Sequence, residues 1–535
     1  MNAQQIYGKL TGQRSSFMAT AREASRLTLP YLISNDDNYS KSAQVFATPW
    51  QSVGAKGVVT LASKLMLALL PPQTSFFKLQ VNDGKMPAAE LDPNIRSELD
   101  LSFAKIERTV MESIAASDDR VIVHQALKHL VVSGNALIFM SKEGLKLYPL
   151  NRYVVDRDGN GNVLEIITKE TVSKKLVKNF YPDYKQPEPN EVSAGGGLTD
   201  GYAGDVGDDE CEVYTHVYRE GSKVCWHQEI DDKEIPGTSG KAQKDVNPWL
   251  VLRFNHVDGE AYGRGRVEEF LGDLKSLEAL SQALVEGSAA AAKVVFTVSP
   301  SSTTKPDTLA RAGNGAIIQG RPDDIGVVQV GKTADFRTAY DMAIGLEKRL
   351  ADAFLVMQVR DSERTTAEEV QMTQKELERQ LGGLFSLLTV EFLVPYLNRK
   401  LSIAQKEGEI PKLPKGDIVK PTIVAGINAV GRGQDAESLA MFLQTIAQTM
   451  GPQAIGQYIN SEEVVKRLAA AQGIDTLNLV KSMQEIQQEQ QAAMQQQQQM
   501  EMTKQASQMA GVEQKREEMI NGDVQQAEQA QAVGP

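Results

Sequence analysis

The chain has 535 residues, 41% of them hydrophobic, which is enough apolar material for several cores, so two to four domains are expected. A formal net charge of -12 argues against a protein that grips nucleic acid broadly, because phosphate binding draws on dense Lys and Arg surfaces; passing contact with DNA stays open. Cys211 and Cys225 are too few for a disulfide framework or a thiolate metal cluster and fit a reducing compartment.

Residues 1 to about 260 read as mixed α/β. Helical periodicity covers Ile6 to Leu27, Val53 to Leu70, Pro93 to Ala116 and Val121 to Val132. The most apolar short run, Leu65 to Leu70, follows Lys64 and is closed by Pro71-Pro72, so neither an export signal nor a membrane span is expected. Strand-like runs then appear at Ala136 to Met140, Val163 to Thr168, Val213 to Tyr218 and Trp249 to Phe254. Between Tyr181 and Glu210 lie Pro187, Pro189, three consecutive glycines from Gly195 and scattered acids, a composition that predicts a mobile surface loop.

Two helix-length runs, Val267 to Lys293 and Ala334 to Gln358, flank about forty residues of short strand-like pieces. In the first, Phe270, Leu274, Leu277, Leu280 and Leu284 recur at spacings of three and four, with Glu269, Asp273, Lys275 and Glu286 off the stripe. Phe336, Tyr340, Ile344, Leu350, Phe354 and Met357 stripe the second. At roughly 1.5 Å per residue the first rod would span about 40 Å and the second nearly as much. A third helical run, Thr366 to about Ser402, carries Gly382-Gly383 and Pro395 and should be kinked. A Pro-rich connector from Pro411 to Pro421 precedes a helical segment from Asp435 to Ala471. From about Gln484 glutamine dominates, and that tail should be helical only with a neighbour packed on it.

Some patterns look like chemistry. Gly326-Val-Val-Gln-Val-Gly331-Lys332-Thr333 matches the phosphate-loop spacing, in which backbone amides cradle phosphates and Thr holds magnesium. Its intervening residues nevertheless read as a strand, and Arg321-Pro322-Asp323-Asp324 before it is a turn rather than the strand a cradle follows. Asp156, Asp158, Asn160 and Gly161 fit the first positions of a calcium loop, but Ile167 stands where the closing acid belongs, so a hairpin tip is the plainer reading. Tyr262-Gly-Arg-Gly-Arg266 lacks the preceding strand and third glycine of a dinucleotide fingerprint and reads as a hinge into the first rod. His124, His129, His216, His227 and His256 show no metal-ligand spacing, and no serine sits in a nucleophile elbow. No catalytic, cofactor-binding or metal residues are nominated.

Thr48-Pro-Trp-Gln-Ser-Val-Gly54-Ala-Lys-Gly57, continuing to Leu61-Ala-Ser-Lys-Leu-Met-Leu-Ala-Leu-Leu-Pro71, closely resembles the portal, or head-to-tail connector, of short-tailed bacteriophages. Further agreement lies in Asp258-Gly-Glu-Ala-Tyr-Gly-Arg264 through Glu268-Glu269, Leu271-Gly-Asp-Leu-Lys-Ser-Leu-Glu278, Thr366-Ala-Glu-Glu369, Leu381-Gly-Gly383 and Ala429-Val-Gly-Arg-Gly-Gln-Asp435. The resemblance implies a mainly α fold with an α/β wing (1–265, continued by 366–434), a two-helix stem (266–293 and 334–355), a small β-containing clip (294–333) and a helical crown (435–480); the Gln-rich tail (481–535) and the Asp156 to Gly161 turn depart from the family's pattern and inherit no role from it. It implies a channel loop at 356–365, where Arg360, Asp361, Glu363 and Arg364 would face DNA through weak, sequence-independent contacts, because tight phosphate binding would stall a moving duplex.

The resemblance also implies a ring, commonly dodecameric, at one capsid vertex of the virion, assembled in the host cytoplasm, with no cofactor and no membrane insertion. Its implied partners are double-stranded DNA, the terminase large subunit, the major capsid protein, the scaffolding protein, the tail adaptor and the internal core proteins. Two other readings compete with this conduit. One is a P-loop NTPase using Lys332 and Thr333, for which Tyr153-Val-Val-Asp156 is a poor magnesium-binding strand. The other is a helical scaffold or adaptor that binds through the Gln-rich tail.

Overall fold

The computed structural model describes residues 2–34, 45–72, 75–81, 93–174, 210–291, 295–301, 305–313, 316–319, 325–328, 333–356, 382–411, 419–423 and 432–451, with isolated positions between them. Two compact units divide the chain, Met1–Val430 and Gly431–Pro535.

The first unit opens with helices α1 (Ala3–Arg26) and α2 (Val53–Leu69), strand β1 (Phe77–Val81), and helices α3 (Pro93–Ala116) and α4 (Asp119–Ser133). Asn2 starts α1 by accepting the Gln5 N–H at 2.9 Å, satisfying one of the donors that a helix start leaves orphaned. In α2 the apolar spacing turns Val58, Leu61, Leu65 and Leu69 inward, and all four are buried. Gly134 ends α4 in the left-handed conformation with φ 74°, and a side chain there would run into the backbone of Arg264, so glycine is required twice over.

Directly after it, β2 (Asn135–Met140) pairs antiparallel with β3 (Leu145–Tyr148) and with β10 (Trp249–Arg253), a three-stranded sheet in the order β10-β2-β3. A second, antiparallel sheet runs through β4 (Tyr153–Arg157), β5 (Val163–Ser173), β6 (Glu210–Glu220), β7 (Lys223–Ile230) and β8 (Lys233–Glu234), with β9 (Gly240–Gln243) also on β7. β5 and β6 both extend beyond the apolar runs that announced them. Their outer halves pair with each other, polar on one face, where Lys169 reaches Glu212 at 2.6 Å, and apolar on the other, where Val172 and Cys211 join a small core. Most of the Pro- and Gly-rich stretch between Tyr181 and Glu210 lies outside the described residues.

α1 passes the β4 edge of this sheet and contributes to both faces. Ala3, Tyr7 and Leu10 pack with Val154, Ile167 and Tyr214 on one face. Met18 and Ala21 pack with Val155, Ile166 and Val217 on the other. Between these two groups Arg14, 2% exposed, donates from Nη1 to the carbonyls of Leu150 and Tyr153 at 2.8 and 2.7 Å. That pins the helix to the strand edge with charge-assisted bonds.

The chain then forms α5 (Arg266–Glu269) and α6 (Leu271–Ala291), a ribbon of β11 (Val295–Val298) with β12 (Ile325–Val328) and a short α7 (Pro306–Arg311) between them, and α8 (Thr333–Ala353). The first rod is thus not continuous: it breaks at Phe270, whose backbone leaves the helical region at φ -112°. Residues 382–388 are helical, Thr389–Leu393 form a π turn, and α9 (Val394–Glu407) follows. The irregularity expected here comes from Pro395, which has no N–H to donate back one turn; the chain widens just before it, while Gly383 remains helical. The upstream half of that expected helix, from Thr366, falls outside the described residues.

The segment expected to be a connector contains a strand, β13 (Val419–Ile423), paired antiparallel with β1. Pro421 sits opposite Leu79 and is tolerated because each strand of this two-stranded sheet keeps an open edge. In the second unit the described helix is α10 (Arg432–Met450), on which Met441 and Phe442 are exposed. The Gln-rich tail lies outside the described residues.

Candidate functional site

α6 and α8 form an antiparallel hairpin. Phe270 meets Phe354 with ring centroids 6.0 Å apart, Asp273 reaches Arg349 at 3.8 Å, and Gly287 lies against the ring of Phe336. Each step along one helix is matched by a step back along the other. β11 and β12 continue the same register, Val295 opposite Val328 and Val298 opposite Ile325. Twenty-one helical residues on each side give a shaft about 30 Å long.

The apolar stripe of α6 faces inward, Leu274 and Leu277 buried and Phe270, Leu280 and Leu284 packed at the margin of the core. That of α8 differs from the sequence reading. Ala343, Leu346, Leu350 and Phe354 form the seam, whereas Tyr340 and Ile344 stand 59% and 46% exposed, with Met342 at 58% and Val285 at 53%. A spacing of four from Phe336 drifts off the seam, and the tighter steps through Ala343 and Leu346 stay on it.

The far end of α8 is anchored by its own cap and by α2 and α5. Leu355 N–H bonds the Asp352 carbonyl at 3.0 Å and Val356 N–H the Ala351 carbonyl at 2.8 Å, the paired bonds of a Schellman cap. The cap position that glycine normally fills is Leu355, at φ 57°. A left-handed leucine costs roughly 1–2 kcal/mol, so its surroundings must over-determine it. They do: the Lys64 ammonium of α2 donates to the Leu355 carbonyl at 2.6 Å, and the Arg266 guanidinium donates to the Ala353 carbonyl at 3.2 Å. Burial lowers the Lys64 pKa below its ordinary value. Phe354 is fully buried against Gly57 of α2, where any side chain would meet its ring. The end of α8, through Val356, is therefore held at a fixed point.

Behind this anchor lie buried ion pairs. Glu391, in the π turn, accepts from Arg253 Nε at 2.9 Å and Nη2 at 2.6 Å on Oε1, and from the Arg253 backbone N–H at 2.9 Å on Oε2. Asp119 accepts from Lys400 at 2.7 Å and from the Tyr396 hydroxyl at 2.6 Å, and burial with that carboxylate raises the Tyr396 pKa well above its ordinary value.

Of the residues nominated for the channel loop, Arg360, Asp361, Glu363 and Arg364 all lie outside the described residues; within 356–365 the structure describes Val356. The phosphate-loop match begins inside β12, where Gly326 pairs with Thr297 and Val327 with Phe296; Gly331 and Lys332 fall outside. Asp156 to Gly161 form the β4–β5 hairpin tip. There Asp158 accepts from the Asn162 side chain at 2.9 Å and from the N–H groups of Asn162 and Asn160 at 2.8 and 2.9 Å, which hold its carboxyl below the usual range.

The Tyr262 to Arg266 segment is a locked junction rather than a hinge. Asn135 donates to the Gly263 carbonyl and accepts its N–H, both at 2.7 Å, and Arg264 is clamped between Glu260 and Glu268. His216 and His227, which show no metal-ligand spacing along the chain, face each other across β6 and β7. Spacing along the chain hides such a pair. The Gly221-Ser222 turn between the strands was the legible signal, because a tight hairpin there mirrors His216 onto His227.

Residues 1–480 match the family described as bacteriophage head to tail connecting protein. The portal protein of Escherichia phage T7 is 36% identical over 91% of this chain and 89% of its own length. That of Enterobacteria phage T3 is 36% identical over 89% and 88%, and that of Enterobacteria phage SP6 30% identical over 82% of each. Among solved structures, the neck of an empty gene transfer agent particle matches 78% of this chain and 89% of its own at 11% identity and a TM-score of 0.39, too distant to argue from.

Proposed function

The chain belongs to the bacteriophage head-to-tail connecting proteins, the portal proteins, and from that premise we propose that it forms a closed ring at one capsid vertex, the conduit through which double-stranded DNA enters and leaves the head and the platform on which the tail is built. The observation that carries this reading is the unbroken likeness to portal proteins over residues 1–480. The α6–α8 shaft serves as the stem, the β11–β12 ribbon as the clip, residues 435–480 as the crown, and 1–265 with 366–434 as the wing. The apolar side chains left on the shaft, Tyr340, Met342, Ile344 and Val285, supply surface for neighbouring copies.

The ring works as a structural conduit, with fuel chemistry supplied by a separate ATP-driven motor, the terminase large subunit. Capsid, scaffolding, internal core and tail adaptor proteins are its other partners. The loop at 356–365 lines the channel, and Arg360 and Arg364 slide past phosphates without holding them. The anchored cap at Leu355 fixes where that loop departs, which is what a constriction repeated around a ring requires. Arg360→Ala with Arg364→Ala should leave ring mass unchanged and reduce packaged or retained DNA. Normal rings that fill capsids with full-length DNA at the wild-type rate and retain it would contradict the loop assignment.

A further inference from the structure

Three ligand-bearing side chains that the conduit does not use meet on one face of the second sheet. His216 of β6 is directly opposite His227 of β7, and Glu229, two residues further along β7, shares their face. One nitrogen from each imidazole and one carboxylate oxygen lie within 4.8 Å of one another, and the rings are 5.3 Å apart. Asp156 and Glu165 are opposite each other on the same face. All five line an open cleft of about 720 Å³, with Arg219 as the cation in its described lining.

Each part of this arrangement asks for a cation. His216 Nε2 is buried without a hydrogen-bond partner, and the Glu165 carboxylate stands 3.9 Å away. Asp156 and Glu165 are like charges directly across a ladder, an unfavourable pairing, and Asp156 has no ion-pair partner among the described residues. Glu229 is already aimed: its Oε2 accepts the Ala3 N–H of α1 at 2.8 Å, and its Oε1 lies 2.9 Å from His227 Nε2.

We infer that His216, His227 and Glu229 bind a divalent transition-metal ion, zinc by the chemistry of the donor set, with an open fourth position facing the cleft. Two imidazoles and a carboxylate are a zinc set, at about 2.0–2.2 Å from the ion, and the present spacing closes by side-chain rotation of about 1 Å. The ion takes the place of the hydrogen bond between His227 Nε2 and Glu229, and the neutral His227 imidazole then carries its proton on Nδ1, exchanged through solvent. Glu165 and Asp156 accept hydrogen bonds from a water in the fourth position, and the Ala3 N–H, bonded to Oε2, orients Glu229. The ion would tie the β6–β7 hairpin to the start of α1.

Cobalt(II) titration of the purified full-length assembly tests this. One Co²⁺ per chain should bind, with the intense visible absorption of a tetrahedral site, and Zn²⁺ should displace it. His216→Ala and His227→Ala should each weaken binding at least about a hundredfold, and Glu165→Gln about tenfold, at unchanged oligomer mass. Should an alanine variant fail to fold, His227→Gln gives the same readout while keeping a hydrogen-bonding group beside Glu229. A wild-type assembly that takes up neither metal at stoichiometric addition, or uptake unchanged in the histidine variants, would overturn the assignment.

Discussion

The regions proposed as wing and stem solve opposite problems. In the wing, α1 closes over both faces at the β4 edge; Arg14 is held by two backbone carbonyls, and Arg253 with Glu391 and Asp119 with Lys400 are paired inside the fold. In the stem, the base of the shaft is buried on α2 while Tyr340, Met342 and Ile344 stand in water. A region that buries its large apolar side chains within one chain is built to hold shape, and a region that leaves them exposed offers surface to copies of itself. Damage to the wing should therefore appear as lost stability of each subunit, and damage to the outer stem as lost assembly.

The largest effect is expected from Glu391→Ala. It leaves the Arg253 guanidinium, 7% exposed, without its carboxylate, and breaking such a pair costs about 3–5 kcal/mol. Denaturant unfolding followed by a probe in the wing should show it; a loss below about 1 kcal/mol would mean that the wing does not depend on its internal pairs. Next comes pH. Complete burial pushes His129 down to about 4 from 6.5, so the unfolded chain takes the proton first on acidification. The stability tied to a neutral His129 is then present above pH 6.5 and lost as pH falls towards 4, about 3 kcal/mol in all. His129→Leu should flatten that part of the stability profile measured between pH 7 and 4. An unchanged slope would place the acid sensitivity elsewhere.

The smallest effect on the subunit, and the sharpest contrast, is expected from Tyr340→Ser with Ile344→Ser. Both side chains are already exposed, so each change should move subunit stability by less than about 0.5 kcal/mol. Assembly, followed by mass photometry across a dilution series, should weaken. Equal ring formation in this variant would erase the difference between the two regions.

Much of the fold was legible because its long helices carry strong periodicity: α2, α3 and α4 begin and end within about two residues of their apolar patterns, and α6 and α8 lie where the two rods were expected. Long-range pairing was not legible. β13 contains Pro421 and no apolar alternation, and it is a strand because β1, more than three hundred residues earlier, offers it an edge. The seam of α8 was misread for a related reason, since an alanine such as Ala343 gives a weak signal and an exposed Tyr340 a strong one. At the anchor, Phe354 was legible as an apolar stripe residue. The left-handed Leu355 and its Lys64 bond were not, because a leucine at a helix cap breaks the local rule and is held there by tertiary contacts.

The closed ring is tested most directly by native mass spectrometry of the purified full-length chain at micromolar concentration in native salt, with electron microscopy of the same sample. A single closed assembly of many copies with a central channel is the predicted result. A stable monomer under those conditions would contradict the account.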